Sequence, residues 1–127
     1  MSASASPDAG LYAISDVDRC LAFTLPGRHA RGRMVRLGPG LGAILSNHGQ
    51  PPALAALLAE ALTLTALLGS TLKDAGGQLT LQAQAQDGAV DLLVCDYKAG
   101  ALRGNIRHDP DRAAALTHDS SLDEIFG

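Results

Sequence analysis

From Pro51 to Lys73 the chain reads PPALAALLAEALTLTALLGSTLK, and its one acidic residue is Glu60. A helix on a protein surface carries one apolar stripe and one charged face. This stretch has no charged face, so it must either cross a membrane or be enclosed by a folded core. A span needs about 20 apolar residues, and the length is adequate. Against a span, Glu60 sits near the middle, where a carboxylate costs about 2.5–3.5 kcal/mol on insertion scales. Thr63, Thr65, Ser70 and Thr71 add polar groups, no basic cluster flanks the segment closely, and strand-like sequence follows at once. The segment is therefore expected to be a buried helix of a membrane-free protein. At about 100° per residue, Leu54, Leu57, Leu58, Leu64, Leu68 and Leu72 share one broad face, and Ala55, Ala59, Thr63, Ala66 and Ser70 line the opposite one. Both faces ask for a packing partner.

The rest of the chain offers β-layers to supply them. Arg19–Leu25 and Arg31–Leu37 read as short strands joined by a turn at Pro26-Gly27. After Gly-Pro-Gly at 38–40, Leu41–His48 reads as a short helix with Leu41, Ile44 and Leu45 on one side; Asn47–Gln50 ends it and Pro51-Pro52 begins the next. Gln78–Gln86 alternates strictly, Leu79, Leu81, Ala83 and Ala85 against glutamines and Thr80. Asp87-Gly88 is a preferred two-residue hairpin turn. Folding about it sets Ala85 opposite Val90, Ala83 opposite Leu92 and Leu81 opposite Val94 on the core side, and leaves Leu93, Cys95 and Tyr97 on the other face among glutamines. A third strand, Ala101–Arg107, completes a meander. The expected fold class is α+β, a layered β/α/β arrangement with a central helix (about 51–73) between β-layers. The expected organisation is a polar, disordered tail over 1–10 and a partial domain over 11–127, because the sequence stops at Gly127 just after the apolar pair Ile125-Phe126.

Composition excludes several functions. Charged residues make up 18% of the 127 and the net charge is −3, which gives the chain no overall attraction to an acidic or basic partner. Cys20 and Cys95 lie far apart in apolar runs, in neither a disulfide framework nor a zinc spacing, and fit a reducing cytoplasm. His108-Asp109 and His118-Asp119 lack metal-ligand spacing, and Gly-Pro-Gly-Leu-Gly at 38–42 lacks the lysine of a phosphate loop. No Ser or Cys has a base and an orienting acid near it in sequence, so no catalytic or metal residues are assigned and no enzyme is expected. Glu60 is expected at the edge of the buried face, paired with an arginine. Arg28, His29, Arg31, Arg33 and Arg36 form the one basic cluster. A strand splits it, with Arg31 and Arg33 on one face and Arg36 on the other, and no aromatics alternate with it to stack bases. A nucleic-acid or anion-binding module on these arginines is the alternative function.

Taken together, RGRMVRLG (31–38), ILSNHGQPP (44–52), ALTLTALLGSTLK (61–73), LTLQAQ (79–84) and LLVCDYKAGALRGNIR (92–107) resemble the N-terminal domain of the heat-shock protein 33 family, over roughly Asp16–Gly127. The resemblance implies a buried helix between two β-layers and a redox-regulated, ATP-independent holdase chaperone of the cytoplasm. Its partners would be unfolding client proteins, with a homodimer as the active form. In that family a C-terminal zinc domain with CxC and CxxC thiolates holds the chaperone inactive until oxidation. Cys20 and Cys95 match neither motif, so zinc is expected only in a C-terminal domain absent from this chain. The fragment itself could be completed by strand exchange with a neighbour. The mixed sheet face at Leu93, Cys95 and Tyr97 is the expected client-binding site.

Overall fold

The structure, a computed structural model, describes residues 5–6, 11–13, 19–46, 51–74, 76–117 and 119–127. Its strands are β1 (Ala5–Ser6), β2 (Leu11–Ala13), β3 (Arg19–Leu25), β4 (Ala30–Arg36), β5 (Gln78–Gln84), β6 (Val90–Lys98) and β7 (Ala101–His108). Helix α1 (Pro39–Ser46) and helix α2 (Pro52–Gly69) fall between β4 and β5, and two short helices, α3 (Pro110–Ala113) and α4 (Leu122–Phe126), follow β7. The strands form a five-stranded sheet in the order β1-β2-β7-β6-β5 and a separate β3–β4 hairpin. The protein is thus α+β, with two open antiparallel sheets. Within the segment expected as a tail, Ala5–Ser6 pairs with Leu11 and Tyr12; 1–4 and 7–10 lie outside the described residues, as do 47–50, expected to end the first helix.

Two prolines start the helices. Pro39 opens α1 inside the Gly-Pro-Gly stretch, two residues before the expected Leu41, because a proline at the first helical position gives up no hydrogen bond. Pro52 opens α2 in the same way, and the Pro51 carbonyl accepts from Leu54 and Ala55 N–H. By length and composition α2 could cross a bilayer. Here it packs on β5, β6 and β7 and is also touched by α1 and β4. Its hydroxyl groups are satisfied by its own backbone. Thr63 Oγ1 donates to the Ala59 carbonyl and buried Thr65 Oγ1 to that of Ala61, each at 2.7 Å. A polar side chain bonded this way is buried without an orphaned group.

The face of α2 that meets the sheet combines residues of the two expected faces, and part of the leucine row stays in water. Ala53, Leu54, Leu58, Ala61, Leu62, Thr65, Ala66 and Gly69 are buried, whereas Leu64 and Leu68 are 46% and 40% exposed. Small residues mixed with three leucines let the helix lie close. A Cβ on Gly104 of β7 would come within 2.8 Å of Leu62 Cδ2 and 3.1 Å of Leu58 Cδ1, and one on Gly69 would overlap the Tyr97 ring. Close approach is worth more here than a continuous row of leucines.

The β5–β6 register is one residue away from expectation. Ala83 pairs with Leu93, Leu81 with Cys95 and Leu79 with Tyr97. The two-residue turn at Asp87-Gly88 does not form. Ala89 and Val90 are drawn into the core instead, Val90 paired with His108 of β7 and the Ala89 carbonyl accepting from Asp109 N–H. Gly88 lies against the backbone of Phe126, and Arg112 donates to the Asp87 carbonyl. These contacts hold the turn open, and the ladder is irregular between Val90 and Leu92.

Candidate functional site

A one-residue register change exchanges the faces of a strand. Leu93 and Cys95 are therefore buried beneath α2, and Tyr97 stacks under Gly69. The mixed outer face expected to carry them carries Leu92, Val94 and Asp96 on β6, beside Gln78, Thr80, Gln82 and Gln84 on β5 and Arg103, Asn105 and Arg107 on β7. It is a polar face tied by charge. Thr80 Oγ1 donates to Asp96 Oδ1 at 2.6 Å and Arg103 Nη2 to Asp96 Oδ2 at 2.7 Å, while Arg107 pairs with Asp91. Burial alone would raise the Asp96 carboxyl. The Thr80 and Arg103 hydrogen bonds and the Arg103 charge outweigh it and hold the group below its ordinary range. On the other side of the strand, burial pushes the Cys95 thiol up to about 11; the Thr65 hydroxyl opposes the shift and the Asp96 charge adds to it.

The apolar surface that the fold leaves open lies on the hairpin. In antiparallel strands, residues directly opposite one another share a face. Cys20↔Val35, Ala22↔Arg33 and Thr24↔Arg31 make one face of β3–β4. Val35 packs against the core and Arg33 Nη1 donates to the Ser70 carbonyl at 2.9 Å, fixing that face toward the end of α2. Leu21↔Met34, Phe23↔Gly32 and Leu25↔Ala30 make the other, outward face. Leu21 is 58% exposed, Phe23 39%, Leu25 49% and Met34 59%. Gly32 gives the Phe23 ring a seat, since a Cβ there would overlap it. Arg19 and Arg36, paired across the strands, stand at one end of this face. Alternation in RCLAFTL carried the signal for an apolar row, Leu21, Phe23 and Leu25. That the row faces outward follows only from the docking of Val35 and Arg33. A second apolar area, a shallow groove along α2, is lined by Ala59, Glu60, Thr63, Leu64 and Leu67.

The other candidate residues are not brought together. Arg31 and Arg33 share the inner hairpin face and Arg36 the outer one, and Arg28 sits in the helical turn at Pro26–Arg28. His29 closes that turn in the left-handed conformation (φ 50°). Glu60 is exposed on α2 and, among the described residues, has no arginine partner. Asp109 caps α3, accepting from Asp111 and Arg112 N–H; His118 lies outside the described residues. Cys20 is exposed on the hairpin and Cys95 is buried under α2. Among the described residues no group of three or more His, Cys, Asp or Glu could hold a metal ion. The residues present thus do not fit a thiolate zinc centre.

The Hsp33 protein family model matches residues 18–127. The 33 kDa chaperonin of Caulobacter vibrioides (strain NA1000 / CB15N) is 43% identical over 113 residues, which is 88% of this chain and 35% of that protein. The 33 kDa chaperonin of Yersinia pestis (strain Pestoides F) is 32% identical over 114 residues, 90% of this chain and 38% of that protein. The chain spans little more than a third of the length of these relatives.

Proposed function

The chain belongs to the Hsp33 protein family, and on that premise we propose that it is the client-binding part of an ATP-independent holdase chaperone. Its partners are unfolding proteins, captured through apolar area and not through sequence-specific hydrogen bonds. The observation that carries this reading is the outward face of β3–β4, where Leu21, Phe23, Leu25 and Met34 stand exposed side by side. A contiguous apolar patch left exposed on a hairpin is the mark of an interaction surface. At about 25 cal/mol per Å², a few hundred Å² of contact is worth several kcal/mol before the cost of association. That suits promiscuous, releasable binding. Client contact at Leu93, Cys95 and Tyr97 would need α2 to lift from the sheet, so we assign it to the hairpin. The finer family properties are part of the same proposal: a cytoplasmic protein, redox-activated, dimeric when active, with zinc and its thiolates supplied by sequence outside residues 1–127.

The test is suppression of client aggregation, followed by light scattering, at low and high salt. Leu21→Ser combined with Met34→Ser removes an opposed pair from the patch. It should weaken client binding by roughly tenfold, at about 1 kcal/mol or less for each half-exposed side chain, with the thermal midpoint nearly unchanged. Wild-type suppression should persist at high salt. Unchanged suppression by the double variant would remove the hairpin from the reading. Loss of wild-type suppression at high salt would instead favour the arginines and a charged ligand.

A further inference from the structure

From Arg19 to Ala59 the sequence holds no Asp or Glu, although the net charge of the whole chain is −3. The β3–β4 hairpin lies inside that interval and carries Arg19, Arg28, Arg31, Arg33 and Arg36, all exposed. Among the described residues the ion pairs belong to Arg103, Arg107 and Arg112, and no hairpin arginine makes one. Asp16 and Asp18, just before β3, lie outside the described residues. The strand register sets these charges against the apolar patch. Arg19 and Arg36 lie opposite each other at the open end of the outward face, next to Leu21 and Met34. Arg28 stands at the other end, in the turn beyond Leu25 and Ala30. Between the two ends that face presents Leu21, Phe23, Leu25, Ala30, Gly32 and Met34. At the rise of an antiparallel strand, Arg19 to Leu25 covers about 20 Å. The outward face is thus an uncharged strip with a cationic group at each end.

We propose that this face selects client segments by charge, taking extended apolar stretches of about six residues that are bordered at each end by a carboxylate. The inference rests on the chaperone reading of the same patch and names the class of segment it takes. The apolar centre supplies the affinity and the ends supply the choice. A carboxylate arriving beside Arg19 and Arg36, or beside Arg28, meets an exposed guanidinium and gains a charge-assisted hydrogen bond. A lysine in the same place meets like charge, and repulsion of that kind is what turns binding into discrimination. Each exposed contact changes affinity only a few-fold, so replacing attraction by repulsion at both ends changes it roughly tenfold. Salt screens charges more than about 8 Å apart at physiological strength, so the preference fades as salt rises while the apolar contact persists. Arg31 and Arg33 lie on the inner hairpin face, Arg33 bonded to the Ser70 carbonyl, and take no part.

Fluorescence anisotropy of labelled peptides, under the conditions in which the chain suppresses client aggregation, tests it. Three peptides share one apolar centre of about six residues and end in aspartates, lysines or serines. A fourth has aspartate ends and a serine centre. At low salt the aspartate-ended peptide should bind roughly tenfold more tightly than the lysine-ended one, with the serine-ended one between them. At about 1 M salt the preference should shrink below about twofold. Arg19→Gln, Arg28→Gln and Arg36→Gln together should abolish the preference and leave the serine-ended peptide's affinity unchanged. Glutamate at the same three positions should invert the order. Arg31→Gln, the same loss of charge on the inner face, should keep it. Leu21→Ser with Met34→Ser should weaken all three apolar peptides alike. Equal affinity of the wild type for aspartate and lysine ends would overturn the proposal and leave the chaperone reading standing. Equal binding of the serine-centred peptide would mean that charge alone is read, as by a nucleic-acid site, and would overturn it too. Failure to bind even the serine-ended apolar peptide would take the chaperone reading of this patch down with it.

Discussion

Asp96 is 8% exposed on the polar face of β6, between the Thr80 hydroxyl and the Arg103 guanidinium. Its carboxyl is held below the ordinary 3.8. A depressed carboxyl adds stability that is present above the unfolded value and is lost as pH falls through the folded one. Asp96→Asn should therefore lower stability at neutral pH by about 1 kcal/mol, since solvent at the half-exposed Arg103 screens much of the pair. In melts taken from neutral pH downward, the gap between wild type and variant should close as pH drops below 3.8. Sequence alone hides this residue's role. The expected register set Thr80 opposite Cys95 and left Asp96 without an assigned partner; the observed one sets Thr80 opposite Asp96 and Asp96 opposite Arg103.

At the scale of the element, α2 was legible as a helix and as a core component, because an uncharged stretch of that length has few other places to go. Which side would meet the sheet was not legible. With apolar residues around the whole circumference, the hydrophobic pattern sets no direction, and the choice falls to close packing at Gly104 and Gly69. Leu58 and Leu64 measure the result. Leu58 is fully buried, so Leu58→Ala should cost about 2–5 kcal/mol in chemical denaturation. Leu64→Ala should cost under about 1 kcal/mol, because nearly half of Leu64 is already in water. Equal costs for the two would mean that the outward face of α2 is covered. The β5–β7 meander was legible from alternation and turn residues. Its first turn departs from the local pattern because the preference of Asp87-Gly88 yields to contacts with Phe126 and Arg112, residues distant in sequence.

Across the whole molecule the two cysteines report different depths. Cys20 is exposed on the hairpin; Cys95 is fully buried between α2 and the sheet, with its thiol raised to about 11. Because that value lies above the ordinary 9.0, burial of the neutral thiol supports the fold below that pH, and the support fades as pH rises from there toward the folded value. At mildly alkaline pH an alkylating reagent should modify Cys20 rapidly. Cys95 should react only when α2 leaves the sheet, so its labelling rate in denaturant should follow global unfolding. Rapid labelling of Cys95 in the native protein would mean that α2 opens on its own.

The ladder is uneven only between Val90 and Leu92, and the regular stretch that follows sets a limit on one kind of genetic change. Conservative replacements in β6 alter the core by a methyl group or two. A residue lost or gained between Leu93 and Tyr97, where no loop can take it up, would put the two ends of β6 on opposite faces and turn either Leu93 or Tyr97 toward the polar side.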